Sequence, residues 1–340
     1  MEQLGATVLE WLAAGRQVAV ARVLDLQGFS TWAGDPLVVV NDRDEQAGDI
    51  LGVFGGSAVA GASARVTNAP GGIEVVSVEI GEAQAAAAGL VCGGRADLLV
   101  QPAGGIPEAF WDALAHREPV AVATRIEGPS AGPASVVVTA DGTWDGALDA
   151  GDPDHVAAQA VSLFAEGSHG VRRLDDGAGT ILIESWVPDP RLVVVGQGTL
   201  VDAIAAQAGF LGWQTRSGVT PEEVDTALAW AGGSAALVVL SHDAGIDTTA
   251  LRMGLDRGIP YVGAMGSRRT QSRRMEKLEA DGVSTTLLEQ VHRPIGLDLG
   301  GRRPAEVALA IVAEILASRH GRDGRPLKHR DGPIHASAPV

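Results

Sequence analysis

Gly266-Ser267-Arg268-Arg269 brings together, in four consecutive residues, a glycine that frees the backbone, a hydroxyl suited to capping a helix and two guanidinium groups. That order suits an anion, phosphate above all, because a helix start offers unpaired N–H donors and a guanidinium adds charge-assisted bonds. A purely structural reading also stands, with Ser267 as a cap and Arg273, Arg274 and Lys277 along a solvated helix face. In Ser241-His242-Asp243, which follows an apolar run, His242 can exchange a proton near neutral pH and Asp243 can orient it or receive a polar ligand group. A structural histidine, with Asp247 as the helix cap, accounts for those residues equally well. Gly196-Gln197-Gly198 sits where a strand turns into a helix and lets a phosphate approach the backbone, but Val201 stands where a dinucleotide fingerprint has its third glycine. Asp298, in the glycine-rich run Pro294 to Gly301, is the best single carboxylate for a ligand or for packing. Cys92, before Gly93-Gly94, is the only thiol, and a thiolate attacks electrophiles or binds soft metal ions. Inert packing is its alternative. His116, His155, His169 and His292 lack metal-ligand spacing.

The elements that must hold these residues differ between the two parts of the chain. After Pro188-Asp189-Pro190, a stiff connector, Leu192–Val195 is a continuous apolar run of parallel-strand type, Leu200–Ala208 a helix, and Ala235–Leu240 another buried strand. A helix over Thr248–Leu255, the strand Tyr261–Ala264 and a final helix over Pro304–Ser318 complete an α/β alternation. Glu306, Ala310 and Glu314 share one side of that last helix at helical spacing. The residues Phe210–Arg216, assigned to the following strand, end without the acidic residue that meets an NAD ribose. The first part alternates short strands (Val18–Val23, Leu37–Val40, Ile50–Phe54, Ile73–Ile80, Leu98–Val100, Val120–Thr124, Ala134–Thr139, Thr180–Trp186) with helices over Gln3–Ala14, Pro107–Arg117 and His155–Phe164. Gly52–Ser57 reads as a glycine-rich turn and Asp141-Gly142 as a hairpin. The fold class is therefore α/β, a C-terminal Rossmann-like parallel-sheet domain over 189–320 preceded by a mixed α+β domain over 1–188. The 45 glycines follow no internal repeat, and 321–340 reads as a disordered tail.

A chain of 340 residues exceeds one core, so two domains are expected. A net charge of −16 disfavours nucleic acid as a partner. The start lacks a basic region followed by an apolar run, and no stretch of 18 apolar residues occurs, so no transmembrane span is expected and the location reads as cytoplasmic. One cysteine allows no intrachain disulfide. A homodimer is the default for a soluble oligomer.

Val238 to Ala317 resembles the XdhC/CoxI family, the accessory proteins of xanthine dehydrogenase and carbon monoxide dehydrogenase. The resemblance rests on Ser241-His242-Asp243, Asp247, Tyr261-Val262-Gly263, Gly266-Ser267-Arg268-Arg269, Pro294-Ile295-Gly296-Leu297-Asp298-Leu299-Gly300 and Pro304-Ala305-Glu306, in series. Cys92-Gly93-Gly94 extends it into the first domain, which is then of XdhC/CoxI type. The resemblance implies a chaperone, without turnover of its own, that binds the molybdenum cofactor (molybdopterin), assists its sulfuration with a cysteine desulfurase and delivers it to a molybdenum hydroxylase client. It implies cofactor contacts from Cys92, Gly93, Gly94, Gly196, Gly198, His242, Asp243, Gly266, Ser267, Arg268 and Asp298, with Cys92 as the metal ligand and no catalytic residue. An NAD(P)-binding oxidoreductase and a regulatory homologue without cofactor are the alternatives.

Overall fold

Val18-Ala19-Val20-Ala21 alternates a larger and a smaller side chain, and in the computed structural model this alternation separates two cores. The structure describes residues 1–27, 37–50, 53–68, 72–87, 93–127, 135–148, 151–164, 169–241 and 243–329. It divides into two units, the first reaching Val187 and the second beginning at Pro188.

The first unit opens with α1 (Glu2–Ala13), β1 (Val18–Gln27), β2 (Leu37–Asn41), β3 (Gln46–Gly48), α2 (Val53–Asn68), β4 (Glu74–Ile80), α3 (Glu82–Ala87) and β5 (Gly94–Pro102). It continues with α4 (Glu108–His116), β6 (Val120–Arg125), β7 (Ser135–Thr139), β8 (Trp144–Gly146), α5 (Pro153–Phe164), β9 (Gly170–Asp175) and β10 (Thr180–Trp186). Two antiparallel sheets result, in the orders β3-β2-β1-β5-β4 and β8-β7-β6-β10-β9. The second order is the first repeated, and the registers agree. Val18-Ala19-Val20-Ala21-Arg22 runs against Asn41 to Leu37 as Val120-Ala121-Val122-Ala123-Thr124 runs against Thr139 to Ser135. On the other side, Val20 faces Gln101 as Val122 faces Glu184. The expectation of no internal repeat is thus corrected: the unit repeats one strand order and register, with Val18–Ala21 matched by Val120–Ala123, Val38–Val40 by Val136–Val138, Gly48 by Gly146 and Leu99 by Leu182.

The valines at 18, 20, 120 and 122 enter one shared core with α1 and α4, while Ala19 and Ala21 face α2, and Ala121 and Ala123 face α5. Small residues let each helix lie close to its sheet. Helix α1 meets α4 at Gly5, where an added Cβ would lie 2.6 Å from the Trp111 carbonyl oxygen. Between the sheets, on the same inward face, Arg22 forms an ion pair with Glu184, both fully buried. Arg22 also donates to Gln101 at 2.6 Å and Thr124 at 3.0 Å, and Gln101 donates to Ser135 at 3.2 Å. Burial pushes the Glu184 carboxyl up and Arg22 pulls it back.

Helix α2 overturns the strand expected over Ile50–Phe54 and the turn over Gly52–Ser57. Its Val59, Ala62 and Val66 bury at helical spacing on the sheet, so tertiary packing overrides the helix penalty of its glycines.

The second unit runs β11 (Arg191–Val195), α6 (Thr199–Phe210), β12 (Thr215–Gly218), α7 (Pro221–Ala231), β13 (Ala235–Val239), α8 (Ala244–Asp256), β14 (Tyr261–Ala264), α9 (Arg268–Ala280), α10 (Thr285–Glu289), β15 (Val291–His292) and α11 (Pro304–Arg319). Its sheet is parallel, in the order β12-β11-β13-β14-β15. Val193, Val195, Leu237 and Val239 face α7 and α8, while Leu192, Val194, Ala236 and Val238 face α6 and α11. Phe210 ends α6 rather than entering a strand, which begins only at Thr215. Beyond α11, Gly324 packs on Leu297, where an added Cβ would come within 2.9 Å, and residues 330–340 lie outside the described part.

Candidate ligand site

From β11 the chain passes to β12 on one side and then to β13 on the other, so the connections after β11 and β13 diverge and open a crevice at the carboxyl ends of these strands. Backbone bonds align the turns around it. Leu240 N–H donates to Val195 at 2.9 Å, and Met265 N–H to Val239 at 2.8 Å. Gly196 and Gly198 have φ of 140° and 101°, the region that favours glycine. Gly198 is the N-cap of α6 and supplies no side-chain cap, so the first N–H groups of that helix are left to a ligand or water. A Cβ at Gly198 would meet nothing within 4 Å, whereas one at Gly196 would sit 3.5 Å from Ser241 N. The turns after β11 and β13 are therefore neighbours. Val201, in place of a third glycine, is buried in the α6 contact with the sheet, and β12 ends at Gly218 without a carboxylate.

Asp243, not Asp247, caps α8: its carboxylate accepts from Gly245 N–H at 2.7 Å and Ile246 N–H at 3.1 Å. The helix starts a turn earlier than Thr248, which places Asp247 inside it, fully buried and ion-paired with Arg274 of α9. Arg274 is consequently a correction as well, being buried instead of lying on a solvated face. It donates to Met265 O at 2.6 Å and to Ser241 O at 3.3 Å, joining the turns after β14 and β13. Burial raises the Asp247 carboxyl, against the pull of Arg274 and the Ser241 hydroxyl. Gln271, also buried, donates to Ala264 O at 2.9 Å. Sequence reasoning missed Arg274 and Gln271, although Gln271, Arg274, Met275 and Leu278 together mark the buried stripe of α9.

Ser267 caps α9 by accepting from Thr270 N–H at 3.2 Å, after Gly266 at φ 138°. Arg268, the first residue of that helix, is exposed. Asp298 is exposed in the connection between β15 and α11. In the same region Glu314 accepts from Tyr261 Oη at 2.5 Å and from Gly296 N–H at 2.9 Å, and lies 3.6 Å from His292, which stacks on Tyr261. Burial opposes the charged form of Glu314, but His292, Tyr261 and the Gly296 N–H hold its carboxyl below the usual range. Glu306 instead accepts from Arg302 and Arg303 N–H at the start of α11.

Cys92 and His242 lie outside the described residues. A Cβ at Gly93 would lie 2.4 Å from Ile80 O, and Gly94 pairs with Ile80, so close backbone approach accounts for a glycine at 93. Among the described residues no three His, Cys, Asp or Glu side chains group to hold a metal ion, and no helix is long and apolar enough to cross a membrane.

Residues 192–315 match the family of the XdhC Rossmann domain. Of curated Escherichia coli (strain K12) proteins, the chain is 29% identical over 166 residues to the uncharacterized protein YqeB, covering 44% of this chain and 31% of YqeB. It is 28% identical over 137 residues to the molybdenum cofactor insertion chaperone PaoD, covering 39% of this chain and 41% of PaoD. The chain thus spans less than half the length of these relatives. A protein from Bacillus halodurans described as a xanthine dehydrogenase has a similar fold in its crystal structure, with a TM-score of 0.52 over 96% of this chain and 99% of that one, at 15% identity.

Proposed function

We propose that the chain belongs with the XdhC family, whose Rossmann domain its residues 192–315 match, and that it binds the molybdenum cofactor as an accessory protein in the maturation of a molybdenum hydroxylase of the xanthine dehydrogenase or carbon monoxide dehydrogenase type. The match of its C-terminal unit to the XdhC Rossmann domain and the likeness to a cofactor insertion chaperone support this reading. The observation that carries it is the set of neighbouring turns at the carboxyl ends of β11, β13 and β14, with glycines at positive φ and a helix start free of any side-chain cap. These backbone donors fit the anionic phosphate of a pterin cofactor. Gly196 and Gly198 would hold it at one turn, and Gly266, Ser267 and Arg268 at the other. When bound, the cofactor supplies the molybdenum centre that the client enzyme uses. Asp243 shapes the crevice by fixing the start of α8.

In the fuller form of this reading, Cys92 with Gly93 and Gly94 meets the metal, His242 and Asp298 complete the contacts, and a cysteine desulfurase acts on the carried cofactor. The protein then works in the cytoplasm as a homodimer and has no turnover of its own. Nicotinamide chemistry gains nothing from the geometry, because neither the third glycine nor a carboxylate ending β12 is present.

Anaerobic purification from cells making the cofactor, followed by pterin and molybdenum analysis, tests the reading. Near-stoichiometric pterin is expected. Folded protein that carries none, with the pathway active, overturns it.

A further inference from the structure

The Asp247–Arg274 pair is buried against the turns that form the candidate site. Its partners there are the carbonyls of Ser241 and Met265, which belong to turns after two different strands. Carbonyl oxygens are the part of a peptide that repels an anion. A trans peptide directs its C=O and the next residue's N–H to opposite sides. Drawing the Met265 carbonyl inward to Arg274 therefore turns the Gly266 N–H outward, and this N–H has no acceptor among the described residues. The next residues are the Ser267 cap and the exposed Arg268, so the outward N–H lies beside the start of α9.

We infer that Arg274, held by Asp247, is the positioning residue of this site, setting the turns after β13 and β14 so that their carbonyls face inward and the Gly266 N–H faces the ligand. This rests on the anion-binding reading above and names a residue that acts through the backbone. A planar guanidinium reaches two carbonyls and a carboxylate at once, whereas a lysine is a point charge on a flexible stem. Gln271, bonded to Ala264 O one turn of helix earlier, fixes the end of β14 from the same side.

The test uses the full chain carrying Asp247→Asn with Arg274→Met, which leaves no unpaired buried charge, and separately Arg274→Lys, which keeps the charge. Hydrogen exchange without ligand reads the Leu240 and Met265 amides against Val193 and Val194 in the middle of β11. Calorimetry with inorganic pyrophosphate reads the site. At least tenfold faster exchange at Leu240 and Met265, unchanged exchange in β11 and at least tenfold weaker pyrophosphate binding are expected in both variants. Unchanged exchange at those two amides in a folded variant overturns the positioning role, whether or not binding falls, as does an equal rise in β11, which marks general destabilisation. Faster local exchange in a variant whose parent binds no pyrophosphate leaves the positioning role standing and removes the phosphate reading. If the double variant does not fold, Arg274→Lys decides by the same criteria.

Discussion

Arg22 and Glu184 stand 162 residues apart in the chain and meet as a fully buried ion pair between the two sheets of the first unit. Glu184→Ala leaves the guanidinium without its counter-charge and is expected to destabilise that unit by about 3–5 kcal/mol. Arg22→Met combined with Glu184→Leu is expected to recover most of the loss. Urea unfolding of Glu184→Ala, of Arg22→Met and Glu184→Leu singly, and of the double variant measures both effects, and additive losses in the last three contradict a coupled pair.

Acid is expected to weaken the same unit through His169. Burial, assisted by the charge of Arg22, holds its imidazole down to about 4 from 6.5, against the bond to Ser185 O. Between these values the unfolded chain binds the extra proton, so stability is complete above the upper one and lost as pH falls towards the lower. The loss is on the order of 3 kcal/mol. Because the raised Glu184 carboxyl in the same unit acts in the opposite sense, the difference is the readout: between pH 7 and pH 4 the urea midpoint of the parent should decline relative to that of His169→Gln. Parallel curves contradict the assignment.

Arg268→Ala is expected to weaken pyrophosphate binding by about 1–3 kcal/mol through loss of a charge-assisted contact, with thermal stability unchanged because the side chain is exposed. Calorimetry that returns the parent affinity places Arg268 outside the site.

Gly5→Ala is expected to cost about 1–3 kcal/mol, because the new methyl group would lie 2.6 Å from Trp111 O and 2.7 Å from Ala115 N. These are backbone atoms, which cannot swing away, so α1 and α4 must separate. An unchanged denaturation midpoint contradicts the close crossing.

The parallel-sheet unit was legible because each of its buried strands is a continuous apolar run and each turn is marked by glycine or a capping residue. Asp243 and Asp247 were exchanged because they lie four residues apart and either can cap a helix; only packing shows that the helix starts earlier. Arg274 escaped because an arginine is read as solvent-facing until a buried acid is found for it, and that acid is 27 residues away. Helix α2 escaped because its glycines signal a turn, while the apolar spacing that marks its buried face, Val59, Ala62 and Val66, is sparse. The repeat escaped because its sequence signal is two short matches, Val18–Ala21 with Val120–Ala123 and Val38–Val40 with Val136–Val138, while strand order and register, which carry the rest, are not reported by local periodicity.

At the positions of Arg22 and Gln101 in the first sheet, the second sheet carries Thr124 and Glu184. Two identical chains joined in this way would bring like residues together, and an arginine at that place would have been doubled on the far side. One chain that holds both halves is free of that constraint. Its halves can differentiate, one keeping a cation and the other acquiring the anion that answers it, so a charge inside the unit is neutralised by the asymmetry between copies of the same motif.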